Sequence, residues 1–439
     1  MKNITMLVSP PFRMRCRLNL LNKECCIKKR YPFAARRDLF RRLSLPLAIG
    51  VIVSLTGEAY AENGTFLTGY GVKSAGMGGV AVALPQDAMV AVVNPAGMSK
   101  VGTRYDIGSQ FLFVHEKATI PGSSVGLSDS QGAGLGFPHT LNSNHVVAPI
   151  PEIGINYQWD PRTTVGLSIW GAGLSMSYAN PWLPGAIGAG VLNGTKNPKL
   201  GLTFLQVQPT VAYQVTPVFA VGISPVLSTM QLKIDHIPNV PNSGKQKAYG
   251  AGGRIGFLWD ITNQAKLGFS YATKVHYGKL AGYKNTVLAP SDGRMNMPEQ
   301  FDVGVSYLIT PLITVGMDYN RYNWASTAFG SVYGYRNQDV LKMGISYQIA
   351  KDWTLRSGYT YSKRNTSSAE VVNNILLPAV LQQGATVGVS YKIDEDSQIS
   401  MSAEYDWGET RKYTGSGISK GYEIDTKYGF MGIEYGRRF

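Results

Sequence analysis

The chain is poor in charge, has no long apolar run and carries almost no cysteine, and each shortage removes a class of protein. Only 16% of its 439 residues are Asp, Glu, Lys or Arg, against roughly 25% in an average soluble domain. Its main apolar stretch, Leu43 to Leu55, contains Pro46 and falls short of the roughly 20 residues that a spanning helix requires. A polytopic helical membrane protein is thereby excluded. The three cysteines, Cys16, Cys25 and Cys26, all precede that stretch, so the rest of the chain can build neither a disulfide framework nor a thiolate metal site. What is abundant is Gly (50), Tyr (25) and hydrophobic residues (44%). That balance suits an all-β protein, either soluble or a membrane barrel.

The basic N-terminus reads as an export signal. Twelve Lys or Arg fall within the first 42 residues, followed by the apolar stretch and then Ala59-Tyr60-Ala61, the layout of a signal peptide ending in a small-residue cleavage site. Residues 1–61 hold a net +9 of the chain's +14, leaving about +5 on residues 62–439. The excess positive charge therefore sits in the leader and not on a folded face, which removes the nucleic-acid reading.

From Tyr105 onward polarity alternates residue by residue, the period of a strand with two unlike faces. Ile313, Val315, Met317 and Tyr319 oppose Thr314, Gly316, Asp318 and Asn320, and Phe301, Val303, Val305 and Tyr307 oppose Asp302, Gly304 and Ser306. About fourteen such segments can be counted between 105 and 439. Every second connection is tight, as at Asp160-Pro161-Arg162, Val215-Thr216-Pro217, Ile309-Thr310-Pro311, Ala350-Lys351-Asp352 and Asp394-Glu395-Asp396. The alternate connections, 118–150, 179–202 and 364–383 among them, are long. Short turns on one side, long loops on the other and an even strand count predict an outer-membrane barrel, residues 105–439, closed by pairing its last strand with its first. The terminal Phe439, on one face with Tyr435, suits an assembly signal read by the barrel-insertion machinery.

Residues 62–104 do not alternate and form a small-residue segment with Gly76-Met77-Gly78-Gly79, Asp87-Ala88 and Asn94-Pro95-Ala96. With the strand motifs Gly304-Val305-Ser306-Tyr307 and Trp353-Thr354-Leu355-Arg356-Ser357-Gly358-Tyr359, the chain resembles the FadL/TodX family of outer-membrane transporters for long-chain fatty acids and other hydrophobic compounds. The resemblance implies a fourteen-stranded barrel holding residues 62–104 as a luminal hatch, with Gly78, Gly79, Asn94, Pro95 and Ala96 at its gate, and a third strand kinked to open the wall. The third strand has a matching feature: Val165, Leu167 and Ile169 share one parity, whereas Leu174, Met176 and Tyr178 take the other after Gly171 and Gly173. A bulge at those glycines would produce such a change, and would serve either curvature or a lateral opening. Pro225 marks a second break.

Two loops are apolar enough to capture a hydrophobic ligand or to pack as a lid: Trp182, Leu183, Ile187 and Leu192 in one, Ile375, Leu376, Leu377 and Val380 in the other. Inward parity marks Arg254, Lys274, Lys342 and Arg356 as candidate partners for a ligand carboxylate, or as members of an ion-pair ladder with Asp318, Glu404 and Glu434. The five histidines, His115, His139, His145, His236 and His276, form no metalloprotease or nucleophile motif. No cofactor, metal or enzymatic step is expected. The reading is a monomeric outer-membrane channel for fatty acids or hydrocarbons, surrounded by lipid and lipopolysaccharide; a general porin and a surface adhesin remain as alternatives.

Overall fold

The computed structural model describes residues 66–120, 139–143, 147–178, 199–236, 240, 243–371, 374–378, 381–415 and 421–439. Fourteen long antiparallel strands make one closed sheet: β1 Arg104–Ile120, β2 Val147–Gln158, β3 Thr163–Ser177, β4 Lys199–Thr216, β5 Phe219–Asp235, β6 Gln246–Asp260, β7 Ala265–Ala272, β8 Gln300–Thr310, β9 Ile313–Tyr322, β10 Gln338–Ala350, β11 Trp353–Ser362, β12 Leu381–Lys392, β13 Ser397–Gly408 and β14 Glu423–Arg438. Short pieces at His139–Asn142, His276–Tyr277 and Arg411–Lys412 extend the wall locally. Closure comes from β1 and β14, in register from Arg104↔Arg438 to Thr119↔Glu423. Tyr105 packs near Tyr435 and Phe439 across this seam, with ring centroids 6.2 and 6.1 Å apart. Among the described residues no helix is long and apolar enough to cross a membrane.

The alternation seen in the sequence becomes an inside-out protein. Outward positions such as Ile255, Val305, Met401 and Met431 are 50, 41, 49 and 60% exposed, while inward Asp302, Asp318, Lys342 and Glu434 are buried. Each aliphatic side chain left in water forgoes about 1.5–3 kcal/mol, so a continuous belt of them is stable only against hydrocarbon. Exposed Trp159, Tyr213, Trp259, Tyr307, Tyr347, Trp353 and Tyr391 ring the end with tight turns, and Tyr249, Tyr319, Tyr361 and Tyr405 ring the other. These are the two aromatic girdles of an outer-membrane barrel, and the long connections mark the outer end.

The third strand requires a correction. Its register with β4 runs unbroken from Thr163↔Tyr213 to Ser177↔Lys199, so no bulge changes its facing. Trp170, Ala172, Met176 and Tyr178 keep the inward parity of Thr164 and Ser168; what changes is the chemistry of the lumen, polar below and apolar above. The break lies instead between β2 and β3, whose ladder stops at Glu152↔Trp170. Above it, residues 147–151 pair with β1 and 171–177 with β4, until an isolated bridge joins Ser143 to Tyr178. Pro149 and Pro151 stand in this stretch and offer no N–H to a neighbouring strand. At Pro225 the β4–β5 ladder is also interrupted, between Val207↔Leu227 and Val211↔Ile223, with Pro209 on the facing strand and the register unchanged.

Candidate functional site

The expected hatch segment, residues 66–103, is held against the inner wall by hydrogen bonds to inward side chains around the ring. Eleven strands carry an inward glycine at which a Cβ would crowd this segment. A Cβ on Gly344 would lie 2.4 Å from Met77, and one on Gly358 2.1 Å from the Gly78 nitrogen. Gly78 and Gly79 themselves adopt φ of 66° and 79°, a left-handed conformation that favours glycine. The backbone of the hatch therefore sits directly on the backbone of the wall.

Inward carboxylates satisfy the hatch amides. Asp318 Oδ2 accepts from the nitrogens of Ala81 (2.7 Å) and Val82 (2.9 Å), Glu152 Oε1 from Gly71 (3.1 Å), and Asp106 Oδ2 from Ala88 (2.8 Å). Lys73, almost fully buried, pairs with Glu434 at 2.8 Å and with Asp106 at 3.2 Å, while Arg104 pairs with Asp106 at 2.6 Å. Burial works against the Lys73 ammonium, but Glu434 and Asp106 outweigh it and hold its pKa above the ordinary lysine value. Burial and the nearby Glu434 carboxylate push the Asp87 carboxyl up to about 7, against the pull of Lys73. Charged hydrogen bonds of this kind are the strong ones.

Above the polar layer the lumen is apolar. Leu112, Val114, Trp170, Met176, Leu202, Phe204, Met230, Leu232, Tyr322 and Phe430 from the wall form one buried cluster with Phe66 of the hatch and with Tyr283, Leu288, Trp324, Phe329, Tyr335 and Leu376 from the outer connections. Phe66 lies 5.3 Å from both Tyr322 and Trp324, and Tyr70 lies 4.6 Å from Trp170. Trp170 is also the last rung of the β2–β3 ladder. A buried apolar cluster, the segment 66–103 and the end of the β2–β3 ladder thus meet at one place. The profile of the family described as Outer membrane protein transport protein (OMPP1/FadL/TodX) matches residues 54–430.

The chain belongs to this family.

Within it, a long-chain fatty acid transport protein of Escherichia coli is 22% identical, covering 92% of this chain and all of that one. Among solved structures, the Pseudomonas putida toluene transporter TodX superposes with a TM-score of 0.63 at 18% identity, over 86% of this chain and 100% of its own. A Pseudomonas aeruginosa FadL homologue gives 0.63 at 15% identity, with the same coverage. At these identities the structures show a common fold.

In this OMPP1/FadL/TodX chain the expected site residues are placed as follows. Asn94 begins the short 3-10 turn Pro95–Lys100: its Oδ1 accepts from Ala96 N at 3.1 Å, and its Nδ2 donates to Val82 O (2.8 Å) and Phe257 O (2.9 Å). Asn94, Pro95 and Ala96 are an anchor onto β6. Arg254 donates to Val93 O (2.8 Å), Asp302 (2.9 Å) and Gln300 (2.7 Å), Lys342 to Thr68 O (2.7 Å), and Arg356 to Gln86 (2.8 Å) and Ser390 (2.6 Å). All three hold the segment 66–103, below the apolar cluster. Lys274 departs from its expected inward facing because β7 ends at Ala272; it lines an outer cleft with Tyr271 and Arg321.

Ile375, Leu376 and Leu377 are each 1% exposed and belong to the buried apolar cluster, so they pack inward, as the lid reading expects, and do not present a solvent-facing apolar patch. Gly171 and Gly173 border the ladder break. A Cβ on Gly171 would meet the Pro151 ring at 3.3 Å, and one on Gly173 would strike Leu202 O at 2.6 Å. Trp182, Leu183, Ile187, Leu192 and Val380, like residues 1–65, lie outside the described residues.

Lys73, Asp106, Glu152 and Asp302 were missed by motif reading, although inward parity alone would have found the three acids. Arg411 was missed as well. It pairs with Ile424 at the edge of the buried apolar cluster and is 3% exposed; its Nη2 donates to Gln382 at 3.3 Å, while Nε and Nη1 have no partner among the described residues.

Proposed function

We propose that this chain is an outer-membrane channel through which hydrophobic molecules, fatty acids or aromatic and aliphatic hydrocarbons, diffuse without nucleotide, metal or enzymatic step. The observation that carries the reading is the placement of a buried apolar cluster in the upper lumen beside a wall whose ladder stops at Glu152↔Trp170. A hydrophobic solute gains about 0.8 kcal/mol per methylene on leaving water, and side chains of the apolar cluster that yield to a ligand would supply such surroundings next to the break in the wall.

In this scheme the apolar outer loops, including Trp182, Leu183, Ile187, Leu192 and Val380, deliver the ligand beneath the lid at Ile375–Leu377. The hatch is fixed at Gly78, Gly79 and Asn94–Ala96, its arm Phe66–Tyr70 yields, and the ligand leaves laterally past Gly171 and Gly173. Arg411 favours ligands with a carboxylate, since a buried guanidinium with unused donors is costly unless paired. The protein is read as a monomer of a Gram-negative outer membrane, with residues 1–61 removed, 62–104 as hatch and 105–439 as barrel. Phe439 and Tyr435 would be read by the assembly machinery, and lipopolysaccharide would surround the outer rim.

Removal of the leader would leave a chain without cysteine, so the opening can be tested by a crosslink. Ile150→Cys and Ala172→Cys place thiols on facing positions of β2 and β3 across the break. Joining them with a short reducible bis-thiol reagent should abolish uptake of a hydrophobic fluorophore into liposomes, and reduction should restore it. Unchanged uptake by fully crosslinked protein would refute the lateral route.

A further inference from the structure

One rung across four strands carries unusual chemistry on the outer side of the wall. Tyr271 (β7), Phe301 (β8), Arg321 (β9) and Asp339 (β10) stand in direct register, just above the exposed apolar positions Val303 and Met317. Beyond this rung opens a cleft of about 830 Å³ lined by Tyr271, Lys274, His276, Glu299, Arg321 and Asn323, with Asn337 at its edge. It lies at the outer end, where lipid headgroups meet the barrel.

Its donors and acceptors are mixed. Among the described residues Lys274 Nζ donates one hydrogen bond, to Ser326 O at 3.2 Å, and Arg321 uses Nη1 on Asp339 at 2.7 Å, so both cations retain N–H groups for an anion. Glu299 is held by the Tyr271 hydroxyl at 2.5 Å and by Asn323 at 2.9 Å. A purely anionic ligand would find that carboxylate unfavourable. A sugar phosphate would not, because its hydroxyls donate to carboxylate and amide oxygens while its phosphate meets Lys274 and Arg321. The exposed Phe301, Val303 and Met317 below ask for acyl chains on the same molecule.

We propose that this cleft binds the headgroup of a phosphorylated glycolipid of the outer leaflet. The proposal rests on the outer-membrane orientation adopted above and on no feature of the transport route. Phosphate is fixed by Lys274 and Arg321, sugar hydroxyls by Glu299 and Asn323, and the acyl chains run down the outer face over Phe301 and Val303. Such a lipid would tie the connection 273–299 to the rim of the membrane.

The test is native mass spectrometry of the purified protein with added bisphosphorylated lipid A, dephosphorylated lipid A and inorganic phosphate as separate probes. Lys274→Ala/Arg321→Ala should weaken retention of the phosphorylated lipid at least tenfold, as should removal of its phosphates, and Lys274→Arg should retain it. Lys279→Ala/Lys284→Ala, on the same connection but outside the cleft, should leave it unchanged. Equal retention by the double variant overturns the proposal, as does an equal loss in the Lys279/Lys284 control, which would indicate general charge attraction. Inorganic phosphate that displaces the lipid at equal concentration would mark a free-anion site and overturn it too. Heat-modifiable gel migration of each variant reports the folded barrel. Lipid retention is scored without transport, so it stands or falls separately from the channel reading.

Discussion

Tyr70 of the hatch meets Trp170 of β3 edge-on, with ring centroids 4.6 Å apart and planes at 63°, at the last rung that joins β2 to β3. The contact links the segment Phe66–Tyr70, the arm that yields in the proposed scheme, to the lower frame of the wall break. Such an aromatic pair contributes about 0.5–1.5 kcal/mol beyond its buried area. Trp170→Ala should therefore raise the open population, and the initial uptake rate of a hydrophobic fluorophore in liposomes, by about 2- to 13-fold. A rate no higher than that of the parent protein would remove the gate from this contact.

The close approach of hatch to wall makes a second prediction. Because a side chain at Gly344 would run into Met77, Gly344→Leu should displace the hatch while leaving the outward face of β10 intact. Conductance in planar bilayers should rise at least tenfold, with heat-modifiable migration preserved. A variant that folds and remains as tight as the parent would mean that the hatch is not seated against this strand.

Asp87 gives the hatch a pH dependence. Its carboxyl, raised to about 7 by burial and by Glu434, binds a proton more tightly when docked than when released, where an ordinary carboxylate value applies. Stability from this group is therefore full below about pH 4, declines as pH rises toward 7 and is flat above. Lys73, Asp106 and Arg104 also face it; the raised Lys73 keeps its charge throughout that window. Hydrogen exchange across residues 84–93 should quicken between about pH 4 and 7 and level off above, after correction for intrinsic rates, and Asp87→Asn should flatten the profile. Parallel profiles for the two proteins would rule Asp87 out as the source.

In the proposed channel, Arg411 would separate two classes of ligand. A charge-assisted hydrogen bond is worth about 1.5–3 kcal/mol, or about 10- to 150-fold in affinity. Arg411→Leu should weaken uptake of a long-chain fatty acid by that factor and leave uptake of toluene within twofold. Equal losses for both ligands would assign Arg411 to packing.

Much of the architecture was legible because strand periodicity is local. Ile313, Val315 and Met317 against Thr314, Gly316 and Asp318 state their facing within six residues, and the tight turns state the orientation. Lys274 was misplaced by the same logic, since parity holds only while the strand continues, and β7 ends at Ala272. Leu376 looked exposed because a loop was expected to face water; the lumen it enters is built by distant strands. The polarity switch along β3 looked like a bulge for the same reason. Whether inward means polar or apolar depends on the height at which the hatch stops.

Taken alone, the amino-acid order determined that alternate side chains face lipid, that fourteen strands fit between 105 and 439, and that a small-residue segment precedes them. These follow from steric and hydrophobic preferences acting between near neighbours. The tertiary structure alone decided that Lys342 and Arg254 serve the segment 66–103, that Arg411 stands beside the buried apolar cluster, and that the wall break lies between β2 and β3. Those outcomes depend on which residues, hundreds of positions apart, the closing of the sheet brings within a few ångströms, and no local pattern encodes that distance.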